Sequence, residues 1–327
     1  MQFGYYGLWQ ERMENSVLAI VVPCYNEEQV LPQTNQRLCA LLDSMKRDGL
    51  VGDESYILYV NDGSSDTTWP LIAGYCEADT HVRGVKLAGN VGHQSALLAG
   101  METAIEDADL VVTMDADLQD DIRVVPEMVK KYAGGSDIVY GVRRNRTTDT
   151  FFKRTTAQFT YRMMKALGVK TVYNHADFRL MSRRAVEALS RYEERNLFLR
   201  GLVPLLGYKT DSVYYDRLER RAGESKYPFS KMLSFAVDGV TSFSVKPLRL
   251  IFYLGTLFLL ISLGILVYVI VALCQGRGVQ GWASLMLSIW FVGGCLLICM
   301  SIIASYIGRI YTESKHRPRY NIEQYIK

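Results

Sequence analysis

The sequence predicts an α/β domain built on a mostly parallel sheet, followed by a hairpin of two membrane-spanning helices. Three observations support this prediction. Short apolar runs alternate with helix-length amphipathic stretches from Val17 onward, polar residues follow several of these runs, and two long uncharged stretches come after Leu250. Runs of β-forming residues that alternate with helices indicate βαβ units and hence a parallel sheet.

Five apolar runs are predicted to be strands. They read VLAIVVP, YILYVND, VRGVKL, LVVTMDAD and DIVYG, at residues 17–23, 56–62, 82–87, 110–117 and 137–141. The stretches between them, such as 30–48 and 95–108, carry apolar residues at helical spacing and are predicted helices. In such sheets ligands bind at the carboxyl ends of the strands, near the point where strand order reverses. We therefore expect the functional site at that edge.

Polar residues follow three of the predicted strands. They are Tyr25-Asn26-Glu27, the segment 62–66 (DGSSD) and Asp115-Ala116-Asp117. One such end is typical of a turn that caps the next helix, whereas three ends at one edge indicate a binding site. The sequence contains neither a GxGxxG fingerprint nor a GxxxxGK[ST] loop, so dinucleotide and P-loop sites are disfavoured.

Asp115 and Asp117 close the fourth predicted strand. Carboxylate oxygens at this spacing suit Mg²⁺ or Mn²⁺, which retain several waters and bind substrate phosphates. Such a metal neutralises a departing diphosphate without protonating it. Gln119 adds a further oxygen donor nearby. The alternative is a solvated turn at the end of a strand, because turns often carry Asp.

A series of cationic residues follows this acidic segment. Arginine forks fit phosphate oxygens in bidentate geometry, so a site for two phosphates would use several of them. The alternative is a basic surface that faces solvent or lipid headgroups. The residues are Arg143, Arg144, Arg146, Lys153, Arg154, Arg217, Arg220 and Arg221.

Composition excludes several other classes of protein. The formal net charge is only +3, which argues against a general nucleic-acid surface. The six cysteines include no CxxC pair and the four histidines are dispersed, so we expect reduced thiols and no zinc site. The first residues show no signal-peptide pattern, and Met13 is an alternative natural start to Met1.

Two stretches, 251–273 and 282–307, contain no charged residue. Each exceeds the roughly 20 apolar residues that a helix needs to cross a bilayer. Basic residues flank the pair on both sides, whereas the short loop between them holds only Arg277, so both termini are expected in the cytoplasm. The preceding segment mixes apolar and polar residues and is predicted to be an amphipathic helix, either on the membrane surface or packed on the soluble domain.

The ordered motifs resemble family 2 glycosyltransferases with the GT-A fold, a Rossmann-like α/β fold. Within that family the chain resembles the polyprenyl-phosphate glycosyltransferases, which include dolichyl-phosphate mannose synthase and bacterial enzymes that glycosylate undecaprenyl phosphate. The motifs that carry the resemblance are VPCYNEE (22–28), NDGSSD (61–66), NVGHQ (90–94), DADLQ (115–119), DFRL (177–180) and RAGESKY (221–227).

The resemblance implies roles on the donor side of the site. Asp115 lies near the sugar or ribose, and Asp117 with Gln119 holds Mg²⁺ or Mn²⁺. Asp62 contacts the base. The residues implied to bind the nucleotide sugar are Pro23, Tyr25, Glu27, Asp62, Gly92, His93, Asp115, Arg143 and Arg154.

It also implies an acceptor side and a mechanism. Asp177 and Arg179 join Asp115 and Asp117 as catalytic residues, with Asp177 orienting the acceptor or acting as base. A lipid phosphate is already an anion at neutral pH, so the protein mainly positions it for a single inverting displacement. The residues implied to hold the lipid phosphate are Arg154, Arg221, Ser225 and Lys226.

The expected organisation follows from these segments. A tail at 1–15 precedes a GT-A domain at 16–227 and an interfacial helix at 228–247. Transmembrane helices at 248–274 and 281–308 then lead to a cytosolic tail at 309–327. The expected partners are a nucleotide sugar, with UDP-glucose the best guess, undecaprenyl phosphate and the inner membrane, without nucleic acid; family analogy suggests a homotetramer.

Rival functions are weaker. A processive polysaccharide synthase of this fold carries a Q/RxxRW motif, but no tryptophan occurs between Trp69 and Trp282. A flippase subunit or an inactive scaffold is the rival outside the enzymes, and the apolar spans lack the internal charge that marks a transport path. Transfer of mannose, galactose or a modified aminoarabinose to the same lipid also remains open.

Overall fold

A computed structural model describes residues 15–144, 175–195, 197–216, 246–275 and 281–327. The chain divides into two compact units, which are described separately. The first comprises residues 1–158, 170–226 and 317–327, and the second comprises 159–169 and 227–316. The predicted N-terminal tail (except Asn15), nearly all of the predicted interfacial helix and the cations from Arg146 to Arg154 lie outside the described residues.

The described part of the first unit is built on an eight-stranded sheet in the order β7-β5-β6-β4-β1-β2-β3-β8. Strands β1, β2, β3 and β4 pair in parallel, and so do β5 and β7. Strand β6 runs antiparallel between β4 and β5, and β8 runs antiparallel to β3. The strands are β1 (Leu18–Cys24), β2 (Tyr56–Asn61), β3 (Val82–Leu87), β4 (Leu110–Thr113), β5 (Ile138–Arg143), β6 (His175–Ser182), β7 (Thr210–Tyr215) and β8 (Ile322–Ile326).

Helices connect the parallel strands and cover the sheet. Every residue of β1, β2 and β4 is buried, which requires helices on both faces of the sheet. Close approach of α3 to β1 and β2 depends on Gly100, where a Cβ would lie 2.4 Å from a Val21 methyl and 2.7 Å from a Val60 methyl. The helices are α1 (Leu31–Arg47), α2 (Thr68–Ala78), α3 (His93–Ala104), α4 (Val125–Ala133), α5 (Arg183–Ser190) and α6 (Leu199–Leu202).

The prediction of a mostly parallel α/β sheet is confirmed at the centre of the sheet. The five predicted strands are all present, with ends that shift by up to four residues. The largest shift is in β4, which ends at Thr113 rather than Asp117 because the chain turns at Leu118, whose φ is +43°. Strand order reverses between β1 and β4, so the segments after these two strands meet at the expected ligand-binding edge.

Three strands were not predicted. Strand β6 enters the sheet antiparallel, and β7 extends it beyond β5. Strand β8 lies within the segment 309–327 that was predicted to be a cytosolic tail, and it pairs with β3. The C-terminal residues 317–327 therefore belong to the first unit.

The second unit contains two long helices, α7 (Lys246–Cys274) and α8 (Trp282–Ser314). Helix α7 begins two residues before the predicted span 248–274 and ends with it, whereas α8 continues six residues past the predicted span 281–308. Phe258 packs edge-to-face on Phe291 with ring centroids 5.9 Å apart. Within the described residues, one segment, Phe291–Ser314, is long and apolar enough to cross a membrane, and none of it is buried inside the protein.

Candidate active site

The segments after β1 and β2 are bound to each other at the carboxyl edge of the sheet. Asn26 adopts a left-handed backbone with φ of +55°, and its backbone N–H donates to Ser64 Oγ at 3.0 Å. The Asn26 side chain in turn accepts from the Ser65 N–H at 2.9 Å. The Thr67 hydroxyl donates to Glu28 at 2.7 Å. These bonds link the two segments, because polar groups of each one donate to or accept from the other.

Asp62 holds the loop that follows β3. Its two carboxylate oxygens accept from the backbone N–H groups of Val91 at 2.7 Å and Gly92 at 3.0 Å. Asp62 is buried, and burial raises the pKa of this carboxyl while the two N–H bonds oppose the rise. The loop approaches so closely that a Cβ at Gly63 would lie 2.5 Å from Asn90 N, so only glycine fits there.

The acidic segment after β4 is fixed at several points. Leu118 turns the chain with a positive φ that costs energy for a branched side chain, and this conformation persists because its neighbours are anchored. Thr34 of α1 donates to the Ala116 carbonyl at 2.6 Å. Within the segment, the Gln119 side-chain amide donates to Asp117 Oδ2 at 2.6 Å. The Asp117 carboxylate is therefore held in a defined orientation at the edge.

Arg143 of β5 forms an ion pair with the carboxylate of Asp120. Its Nε and a terminal nitrogen donate to Asp120 Oδ1 at 3.1 and 2.8 Å. Tyr215 of β7 donates to the same oxygen at 2.6 Å. Asp120 is buried and directly follows Gln119, so this cluster braces the acidic segment from the β5 and β7 side. Arg143 was predicted to contact a phosphate, and the structure shows it bound to Asp120 and Tyr215, a contact that the sequence did not indicate.

Asp177 of β6 is the centre of a buried ion cluster. Its carboxylate accepts from Arg179 at 2.7 Å, from Arg200 at 3.0 Å and from the Gln94 side chain at 3.2 Å. Burial by itself would raise the pKa of Asp177, but the guanidinium groups of Arg200 and Arg179 outweigh it and hold the pKa well below its usual range. The carboxylate therefore stays ionised at any pH at which the protein works.

His93 joins the two acidic groups. It is the first residue of α3, and its Nε2 lies 3.5 Å from Asp115 Oδ1 and 3.7 Å from Asp177 Oδ2. The side chain of Asp115 is 44% exposed, whereas that of Asp177 is 7% exposed. Enclosure of the carboxyl within the site raises the pKa of Asp115 to about 6; His93 opposes the rise, and the nearby carboxylates of Asp177, Asp120 and Asp117 add to it.

The structure brings most of the predicted site residues to one edge. Pro23 is the second-last residue of β1, and Tyr25, directly after the strand, is half exposed. The Glu27 N–H donates to Thr68 at 2.9 Å. The residues gathered at this edge are Pro23, Tyr25, Glu27, Asp62, Gly92, His93, Asp115, Asp117, Gln119, Asp177 and Arg179. The predicted residues that lie outside the described part of the chain are Arg154, Arg221, Ser225 and Lys226.

Sequence reasoning missed three side chains that support the site. Thr34 and Tyr215 anchor the acidic segment, and Arg200 binds Asp177. Arg200 lies on the short helix α6, in a stretch that matches none of the motifs. Gln94, which binds Asp177, does lie within the NVGHQ motif (90–94).

The fold is an open α/β sheet with an acidic cluster at the edge where strand order reverses, which is where sheets of this kind bind their ligands. The sequence matches the profile of Glycosyl transferase family 2 over residues 19–190. The protein belongs to this family.

Relatives match nearly the whole chain. An uncharacterized glycosyltransferase of Bacillus subtilis, YkoT, is 51% identical over 95% of this chain and 93% of its own length. The bactoprenol glucosyl transferase of Shigella phage SfV is 39% identical over 94% of this chain and 98% of its own length. Among solved structures, the mannosyltransferase PcManGT of Pyrobaculum calidifontis, in complex with GDP-Man and Mn²⁺, has a TM-score of 0.43 at 16% identity and covers 94% of this chain and 92% of that one.

Proposed function

We propose that this glycosyltransferase moves a hexose from a nucleotide sugar to a polyprenyl phosphate with inversion, and that the donor is UDP-glucose and the acceptor undecaprenyl phosphate. The observation that carries the proposal is the cluster of Asp115, Asp117, Asp177 and His93 at the sheet edge. The relatives named bactoprenol glucosyl transferases support the lipid and the sugar, because the similarity extends over more than nine-tenths of the chain.

The donor side of this proposal uses a divalent cation. Among the described residues, no three or more His, Cys, Asp or Glu side chains converge as a metal-ligand group. A site with few protein ligands fits Mg²⁺ or Mn²⁺, since Mg²⁺ is usually bound by one or two carboxylates together with substrate phosphates and waters. Asp117, with Gln119 beside it, would hold the ion, which would neutralise charge on the departing diphosphate.

The chain's own residues then position the reactants. Pro23, Tyr25 and Glu27 line the nucleoside pocket, and Asp62 shapes it through the loop that it holds. Asp177 orients the acceptor rather than taking a proton from it, because a carboxylate whose pKa is far below 7 is a poor base. A phosphate acceptor needs no such base, since it is already an anion at neutral pH.

The acceptor requires a membrane. We propose that α7 and α8 form a transmembrane hairpin, with the catalytic domain on the cytosolic face as the flanking basic residues indicate. Arg154, Arg221, Ser225 and Lys226 are proposed to contact the lipid phosphate, and a homotetramer is the proposed assembly. Both long helices carry exposed apolar side chains over most of the residues whose burial is described, as a lipid environment requires.

One reaction tests the proposal. The purified full-length protein in detergent is incubated with undecaprenyl phosphate, Mg²⁺ and each of UDP-glucose, UDP-galactose and GDP-mannose, and the lipid products are identified by mass. Glucosyl phosphoryl undecaprenol is expected with UDP-glucose alone. A product from another donor would correct the sugar. The absence of product from any donor, in protein that still melts cooperatively, would support the rival role of a non-catalytic scaffold.

Donor binding is expected to depend on pH through Asp115. Above pH 6 this carboxyl is charged and attracts the cation beside Asp117, whereas below its pKa of about 6 it is neutral. The affinity for UDP-glucose with Mn²⁺ is therefore expected to fall as the pH decreases from 7.5 to about 5. The diphosphate of the nucleotide sugar does not titrate in this range. Calorimetry on the unsubstituted protein and on Asp115→Asn measures this effect, and the decrease in affinity is expected to be smaller in the variant.

A further inference from the structure

The C-terminal segment 317–327 contacts the catalytic domain at two places. At the first, β8 pairs antiparallel with β3, with Val85 opposite Tyr325 and Lys86 opposite Gln324. The pairing extends past the end of β3, because the Ala88 N–H donates to the Asn321 carbonyl at 2.9 Å. This segment therefore fixes the backbone of β3 up to the first residue of the loop that follows.

The second contact is with helix α3. Tyr320 OH donates to the Glu102 carboxylate, and Arg319 lies 3.8 Å from the same carboxylate and also donates to the Tyr192 carbonyl. The Arg319 and Glu102 side chains are only 10% and 22% exposed, so this contact is screened far less than a surface ion pair. Burial raises the pKa of Tyr320, which keeps its hydroxyl protonated and able to donate.

The loop 88–92 lies between β3 and α3, the two elements that the segment 317–327 contacts. Residues 88–92 connect β3 to α3, and Val91 and Gly92 donate to Asp62. His93 and Gln94 begin α3 and reach Asp115 and Asp177. The segment 317–327 thus binds the strand directly before the loop and, at Glu102 in the C-terminal part of α3, the helix that begins directly after the loop.

We infer that the segment 317–327 is a positioning element of the active site, which sets the loop 88–94 against Asp62 and Asp177. A simpler role would be to cover the edge of β3, since exposed edges promote aggregation. Any strand that paired with β3 would cover this edge equally well. Covering the edge does not require the contacts of Arg319 and Tyr320 with Glu102, which lie outside β8 and act on α3.

Two double variants of the full-length protein separate these roles. Tyr320→Phe with Arg319→Gln removes the polar contacts with Glu102 of α3 and leaves β8 unchanged. Glu323→Gln with Lys327→Gln is the matched control, because it removes the ion pairs of Glu323 with Lys86 and of Lys327 with Asp107 and leaves the contacts with Glu102 in place. Both change two polar residues of the same segment.

Hydrogen exchange at the Val91 and Gly92 amides is the first measurement, because both amides are protected only while the loop is bound to Asp62. In the first variant we expect exchange there to accelerate about tenfold or more, as loss of hydrogen bonds to a charged group allows. Exchange in β4 should be unchanged. In the control variant both regions should exchange as in the unsubstituted protein.

UDP affinity in the presence of Mg²⁺ is the second measurement, and it rests on the proposed function. We expect the Kd to rise about tenfold in the first variant and to stay the same in the control. Equal loop exchange in the two variants, with only a lower melting temperature, would overturn the inference and leave 317–327 as a stabilising strand. If UDP does not bind even to the unsubstituted protein, the proposed donor is wrong, and hydrogen exchange still decides the inference.

Discussion

Replacing Asp117 by asparagine is expected to lower the rate of glycosyl transfer by about 10²–10³-fold, the usual effect of removing one preorganised group that stabilises developing charge. The Asp117 carboxylate is the side chain proposed to hold the cation, and it is already oriented by the Gln119 amide at 2.6 Å. Asparagine keeps the size of the side chain and removes its charge. Initial rates with saturating donor and acceptor measure the effect.

The control for this substitution lies four residues away in the same segment. Asp121→Asn changes a carboxylate that caps the 3₁₀ turn at Ile122 and pairs with Arg123, away from the site. We expect its rate to stay within about threefold of the unsubstituted protein, as for other changes outside the site. EDTA should weaken UDP binding to the unsubstituted protein but not to Asp117→Asn. If EDTA weakened binding to both equally, Asp117 would not be the metal ligand.

The position of this site was accessible from the sequence because its determinants are local. A buried strand is readable from a short apolar run, and the direction of a parallel strand fixes which of its ends reaches the ligand edge. Asp62 and Asp115 directly follow such runs, so their approximate positions followed from strand order alone. Their partners did not, since Asp62 and Val91 are 29 positions apart, with α2 and β3 between them.

Long-range partners account for what the sequence did not reveal. Arg143 was expected at a phosphate, but nothing in its local sequence shows that Asp120 and Tyr215 lie within hydrogen-bond distance. Arg200 pairs with Asp177 across 23 positions without any motif. Strand β8 was missed for another reason. Its sequence, IEQYI, is short and follows a helix of 33 residues, so it is not part of the alternation of strands and helices from which the other strands were predicted.

Replacing Asp177 by leucine is expected to cost about 3–5 kcal/mol of the free energy of unfolding, the typical cost of leaving a buried charge without its partner. Arg179 is fully buried, and Asp177 neutralises it at 2.7 Å. Arg200 provides the comparison, because Arg200→Gln removes one partner of Asp177 and leaves the buried pair with Arg179 in place. Arg200→Gln is therefore expected to cost less than Asp177→Leu. Thermal unfolding in detergent, followed by circular dichroism, ranks the variants.

Acid sensitivity gives an independent test of the same cluster. The pKa of Asp177 in the folded protein is well below its ordinary value, so the folded state binds this proton less readily than the unfolded state. The stabilisation is then fully present above about pH 4 and is lost as the pH falls below that value. The unsubstituted protein should lose stability in this range more steeply than Asp177→Leu. Parallel slopes would show that Asp177 is not held ionised by its arginines.

A second substitution separates the structural from the chemical role of Asp177. Adding Arg179→Met to Asp177→Leu removes both buried charges, and replacing such a pair by apolar side chains of similar volume is often neutral for stability. The double variant should therefore recover most of the lost melting temperature. Transfer activity should remain low, because the carboxylate that is proposed to orient the acceptor is absent from this variant. Recovery of stability and activity together would mean that Asp177 serves only to neutralise Arg179, and that the acceptor is oriented by other groups.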